Sequence, residues 1–266
     1  MNPSLHTKFS LSTWQALGMA LVLTIDWSDA STVVTIVDTA ARTTVAEAHG
    51  RHAASSTSSD AAMIWWEALV EATRTALDGL AVLNLTSDDI RLIELSRNEP
   101  AGGLVGFDHA GDVCVALSSS HSESSDDAKS LLSQFEGGAD AWRSITGVVP
   151  TAGSTVSLLS WLHRNSPEAW ERLHTFTLPI GYLATRLGGE PSLSTSIATG
   201  TACIDRQTSS WCTPLFELVD AKRDWSVALP PINSAATPIG MLSADASLTL
   251  GLPEGRPLHA GETTRP

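Results

Sequence analysis

The sequence predicts an α/β protein: a mixed sheet with antiparallel hairpins, flanked by helices. Three observations predict it. Two adjacent β-branched runs fill Leu21 to Asp38, and a third follows at Thr43 to Ala48. From Ala61 to Leu80 the apolar residues Ile64, Trp65, Leu69, Ala72, Ala76 and Leu77 recur at helical spacing. Short alternating runs then return, before a longer helical region begins near Ser124. Strands, one helix and more strands make a mixed sheet, and a helical layer follows it. With 266 residues, 42% hydrophobic and nine Trp, the chain can bury a substantial core.

The first hairpin reads LVLTIDWSDASTVVTIVD: an apolar run ending on Asp26, a polar turn, and a second run ending on Asp38. A carboxylate where a strand stops can hold a magnesium ion, or a water on it, near a nucleotide's terminal phosphates. The turn carries Ser28 and Asp29, and this second carboxylate would repel phosphate oxygens unless a metal lay between. After the third strand, Asp60 is placed to cap the helix of Ala61 to Leu80, and Gly79 stands near its stop. Ile90 to Leu95 alternates as a strand, and Leu104 to Phe107 pairs with Val113 to Leu117 around the turn at residues 108–111. Helices are expected through Ala128 to Phe135, Ala139 to Ile145, Ser154 to His163 and Pro167 to Leu173. Thr175 to Leu178 reads as a strand, and Gly181 to Leu187 as a helix halted at Gly188-Gly189. Thr213 to Val219 and Trp225 to Leu229 read as short helical pieces, and the tail from Leu252 is rich in Gly and Pro.

A net charge of −13 with scattered Lys and Arg argues against a nucleic-acid or anionic-membrane surface. Three cysteines, Cys114, Cys203 and Cys212, are odd in number and lack CxxC spacing, which argues against a disulfide framework or zinc site and fits a reducing cytoplasm. Trp14 to Ile25 has the apolarity of a signal-peptide core, but it lacks a small-x-small cleavage site and is too short to span a bilayer. It is better explained as a buried strand. Met19 directly precedes that strand, so residues 1–18 are expected to be a disordered leader or an over-long start, with the domain at 19–262 and a tail at 263–266.

Several stretches, in order, resemble the N-terminal domain of the FGGY family of carbohydrate kinases, most closely its xylulokinase-like members. They are LTIDWSDAS, the Trp65-Trp66-Glu67 helix, GGLVGFDHAG, EGGADAWRSITGVVPTAGSTVSLLSWLHRNSPEAW, LPIGYLATRLGG and TSIATGTA. The resemblance implies the actin-like (ribonuclease H-like) ATPase fold, here as a mixed five-stranded sheet. It also implies a family activity in which ATP and magnesium phosphorylate a sugar hydroxyl in a cleft between two domains, with an aspartate as base.

The site motifs of the family are altered in this chain. The Gln-Gln-His-Gly or Gln-Met-His-Gly sugar loop is matched by Pro100-Ala101-Gly102-Gly103, without side-chain donors or acceptors. The Leu-Trp-Asn-Asp-Thr-Arg segment is matched by Leu117 to Ser122, so that Ser119 and Ser120 stand where Asn and Asp are expected. The His-Asp pair after Leu-Pro is Ile180-Gly181, and Ser196 to Thr201 lacks the acid of its counterpart. No Asp follows the strand containing Leu258, and the family's second domain is not in the sequence given. The expected vestige is therefore Asp26 as a phosphate or metal position, with Gly102, Gly103, Ser119 and Ser120 as degenerate sugar-site positions and no catalytic residue. Its expected ligand is a sugar or polyol, and its expected partner a separate C-terminal kinase domain or a second copy.

Other residues read more simply. His121 among serines reads as a solvated surface histidine, Ser118 to Ser125 as a flexible loop and Glu99 as a surface acid. Gly102-Gly103 reads as a turn rather than a phosphate cradle. Trp65, Trp66, Trp142, Trp161 and Trp170 read as packing residues.

Overall fold

The computed structural model describes residues 21–52, 60–96, 102–199, 201–233 and 238–260. The leader expected at 1–18, Glu99, Pro100, Ala101 and the tail at 263–266 lie outside them.

Alternation of β-branched and polar residues produces an opening meander of β1 (Leu21–Trp27), β2 (Ser31–Asp38) and β3 (Thr43–Arg51). β1 pairs antiparallel with β2 from Leu21↔Asp38 to Trp27↔Thr32. The helix α1 (Asp60–Ala81) carries the chain to β4 (Ile90–Ser96), which lies parallel to β1 with Asp26 beside Ser96. α1 packs on β2 and β3, and its apolar stripe of Trp65, Leu69, Ala72 and Ala76 is at most 2% exposed. The approach is close enough to require glycine at position 50, where a Cβ would stand 1.9 Å from the Ala68 carbonyl oxygen.

β5 (Leu104–Phe107), β6 (Val113–Leu117) and β7 (Thr175–Thr177) form a separate three-stranded antiparallel sheet in the order β6-β5-β7. The helices between β6 and β7 are α2 (Ser125–Gln134), α3 (Gly138–Thr146), α4 (Thr155–Asn165) and α5 (Pro167–Arg172). After α6 (Pro179–Leu187) come short pieces: β8 (Leu193–Ser194), α7 (Thr195–Thr199), the hairpin β9 (Ile204–Asp205) and β10 (Ser210–Trp211), α8 (Thr213–Glu217), α9 (Trp225–Ala228) and β11 (Ile232–Asn233). The described chain closes with β12 (Pro238–Met241), α10 (Ala244–Leu250) and β13 (Pro257–Ala260).

The main sheet runs β12-β13-β4-β1-β2-β3, with β13 parallel to β4 and β12 antiparallel to β13. The expected mixed sheet is present, but it has six strands where five were expected. The Leu104–Phe107 and Val113–Leu117 hairpin, read from the sequence as part of the mixed sheet, lies in the separate one. β12, whose sequence PIGM begins with proline and contains glycine at φ 155, carries no period-two signal and is not read as a strand from the sequence. Proline is tolerated there because β12 is an edge strand.

Two cores result. One joins the main sheet to α1, α6 and α10. The other joins the three-stranded sheet to α2, α3, α4, α5, α8 and α9 through Trp142, Trp170, Phe216 and Trp225. Trp65, Trp66, Trp142 and Trp170 are buried as expected, while Trp161 is half-buried. Trp142 donates from its indole nitrogen to the Ala202 carbonyl at 2.8 Å, which satisfies its one polar atom.

Candidate functional site

The parallel strands β1 and β4 end side by side, so Asp26 and Ser96 share one edge of the sheet. In open α/β sheets that carboxyl edge is where ligands bind. Asp26 is half-buried there. The β1–β2 turn beyond it is closed on itself: Ser28 N donates to Ser31 O at 2.9 Å, Ser28 Oγ to the same oxygen at 3.0 Å, and Ser31 N to Ser28 Oγ at 3.2 Å. Two amides that could have faced a phosphate are thus used within the turn.

Asp29, at the tip of the turn, reaches a segment 90 positions away. Ser119 donates to its carboxylate twice, from the backbone nitrogen to Oδ1 at 3.1 Å and from Oγ to Oδ2 at 2.5 Å. Charge-assisted bonds of this kind are the strong ones. Two residues that the sequence reading marked as departures, one from a phosphate hairpin and one from a sugar site, are therefore bonded to each other.

The Ser119 segment is seated on glycines. A Cβ on Gly102 would lie 2.6 Å from the Gly153 carbonyl oxygen and 2.8 Å from Ser119 Cβ, and one on Gly153, at φ +77, would overlap the Ser119 carbonyl. Gly103, at φ +84, donates its N–H to Gly153 O at 3.0 Å and accepts from Thr155 Oγ1 at 3.1 Å. Its amide serves the protein, in keeping with a turn rather than a phosphate cradle.

The serine run is not the loose loop expected. Ser118 and Ser120 hydroxyls lie 2.6 Å apart. Ser124 Oγ donates to His121 O at 3.0 Å and accepts from Gly153 N at 2.9 Å. Nor is His121 solvated: its side chain is 8% exposed and packs edge-on against Trp161 at 4.4 Å. Burial lowers its pKa against the opposing pull of Glu123. The error came from reading the serines as solvent-seeking, when they bond one another and the glycine turn.

His52, at the end of β3, lies on the same side of the hairpin. It stacks on Trp27 at 5.9 Å and 15°, faces Thr32 Oγ1 at 3.4 Å, and is 7% exposed. Burial lowers its pKa although the nearby Asp29 charge raises it. Sequence reading missed both His52 and the Asp29–Ser119 bond, because a contact across 90 residues leaves no local signal.

The FGGY family of carbohydrate kinases, N-terminal domain, matches residues 21–263. The chain belongs to this family. It is 33% identical over 185 residues to the xylulose kinase of Streptomyces coelicolor, covering 68% of this chain and 36% of that one. It is 25% identical over 201 residues to the autoinducer-2 kinase of Yersinia enterocolitica, covering 74% of this chain and 36% of that one. The crystal structure of xylulose kinase from Rhodospirillum rubrum superposes with a TM-score of 0.76 at 21% identity, covering 91% of this chain and 48% of that one. The FGGY chain in hand thus spans about a third to a half of the length of these relatives, and it has their actin-like fold.

ATP and magnesium are general to FGGY kinases. The residues of the β1–β2 turn do not fit a phosphate group here. Ser28 and Ser31 close the turn internally, and its outward side chain is a carboxylate bonded to Ser119. No group of three or more His, Cys, Asp or Glu among the described residues is arranged to hold a metal ion. No described helix is long and apolar enough to cross a membrane.

Proposed function

We propose that this chain is the sugar-facing half of a xylulokinase-like protein of carbohydrate metabolism, and that by itself it binds a sugar or polyol without transferring phosphate. One observation carries the reading: Asp29 of the hairpin is bonded twice to Ser119 of the former sugar segment. The groups that would separately meet phosphate and sugar instead satisfy each other. Asp26 is then a retained position of the sheet edge rather than a working magnesium ligand. Gly102, Gly103, Ser119 and Ser120 shape a site that offers backbone and hydroxyl groups beside the Asp29 carboxylate. In a cytoplasmic setting the complete kinase function would need the other half of the cleft, from another domain or chain.

Titration calorimetry of the purified chain with xylulose, ribulose and glycerol, with and without Mg-ATP, tests this. The expected result is pentulose or polyol binding that is indifferent to Mg-ATP. Sugar binding that appears only with Mg-ATP would overturn the reading, as would tight Mg-ATP binding without any sugar response.

A further inference from the structure

The parallel strands β1, β4 and β13 all begin at the end of the main sheet opposite Asp26, and α1 returns the chain to that end before β4. Beyond α1 the backbone turns at once: Leu83 N donates to Leu80 O at 2.9 Å, and Leu85 N to the same oxygen at 3.1 Å. Leu85 packs against the main core, whereas Val82 and Leu83 face outward, 83% and 51% exposed. The next turn, Ser87–Asp89, is fastened by Arg256, whose guanidinium donates to Asp88 O at 3.0 Å. Single exposed aliphatics are ordinary on a surface, but two adjacent ones on a fixed turn form a small apolar patch.

The segment that can cover this patch enters the sheet beside it. β1 begins at Leu21, which stands level with Ile90, and only residues 82–89 separate Ile90 from the end of α1. Residues 1–20 lie outside the described residues, and their sequence holds Leu11, Trp14, Leu17 and Met19. Of the apolar run Trp14 to Ile25, β1 takes up only Leu21 onward. At about 3.3 Å per extended residue, Leu17 reaches up to about 13 Å from Leu21 and Trp14 up to about 23 Å, several times the roughly 4.8 Å between neighbouring strands. A segment tethered this closely is held near the patch at high effective concentration. It contains one Lys and no Asp or Glu, so a chain of net charge −13 does not repel it.

We propose that Val82 and Leu83 form a docking surface for this chain's own N-terminal segment, covered by Trp14 and Leu17. The surface is independent of the reading of the sugar site, because the hairpin turn with Asp29 lies at the opposite end of the main sheet.

Urea unfolding and tryptophan emission of the full chain from Met1, verified by its mass of 28.1 kDa, test it. Val82→Lys separates covered from uncovered by sign. On a bare surface at the end of α1, a cation leaves the urea midpoint unchanged or raises it slightly. Beneath Trp14 and Leu17 it sets a charge against apolar groups, and the midpoint is expected to fall. Leu17→Asp is expected to lower it too, and the double variant to lose less than the sum of the two single losses. The difference in emission between wild type and Trp14→Phe isolates Trp14, which is expected to emit as a shielded indole and to shift to longer wavelength in Val82→Lys. Leu83→Lys carries the same test if Val82→Lys proves unfolded. A midpoint not lowered by either substitution would overturn the proposal, as would strictly additive losses or a Trp14 emission indifferent to them. A Trp14 shift that depends on protein concentration would place the segment on another molecule and overturn it as well.

Discussion

Asp29 is the residue on which the functional reading turns. Its carboxylate receives a backbone and a hydroxyl hydrogen from Ser119, so Asp29→Asn would keep the shape but weaken both bonds and leave one amide hydrogen opposed to a donor. The expected loss is roughly 1–2 kcal/mol in urea unfolding, with no comparable loss for the neighbouring Ala30→Ser. The two buried histidines set a pH dependence. Burial lowers the folded pKa of both His52 and His121 below the ordinary 6.5, so below that pH the unfolded chain binds protons that the folded one resists. The stability they permit is complete above pH 6.5 and declines as pH falls from 6.5 toward the lowered folded values. Thermal melts between pH 7.5 and 5.5 are expected to show Tm falling over that window, less steeply in His121→Gln, whereas a flat profile would contradict these assignments.

At the scale of elements, close approach is what the glycines provide. α1 rests on β3 with no room for a methyl group at position 50, so Gly50→Ala is expected to cost about 2–3 kcal/mol, measured as a shift in urea midpoint. Gly111, where nothing lies within 4 Å of an added Cβ, is the control for space, although its φ of +86 carries a strain of its own. The corner between α5 and β7 depends on Arg223, which stacks 4.0 Å over Trp170 and donates to the Leu173 and Trp170 carbonyls at 2.6 and 2.9 Å. Lysine has neither the plane nor the fork, so Arg223→Lys is expected to lower stability by roughly 1–2 kcal/mol in the same assay. The meander, α1, β4, the β5–β6 hairpin and α2 through α6 were legible from periodicity and punctuation, because each is long or bounded by Gly and Pro. β12, α10 and the two-residue pairings of β8 with β11 and β9 with β10 were not. Their pairing is set by tertiary contact rather than by any repeat in their own residues.

Across the whole molecule, the residues that the resemblance marks for packing are in place, and on the proposed reading the site segments are those that differ from the family. Trp65, Trp66, Trp142 and Trp170 are buried where the resemblance placed packing residues. The sequence reading expects Ser28, Asp29, Ser119 and Ser120 to depart from the family pattern. Only the fold could show that Asp29 and Ser119 meet, since the β1–β2 turn and the segment after β6 belong to different sheets. A coupled assay of ADP release, with xylulose, ribulose and glycerol in turn at saturating Mg-ATP, tests the central claim most directly. The account predicts no sugar-dependent ADP formation by this chain, and magnesium-dependent turnover that requires the sugar would contradict it.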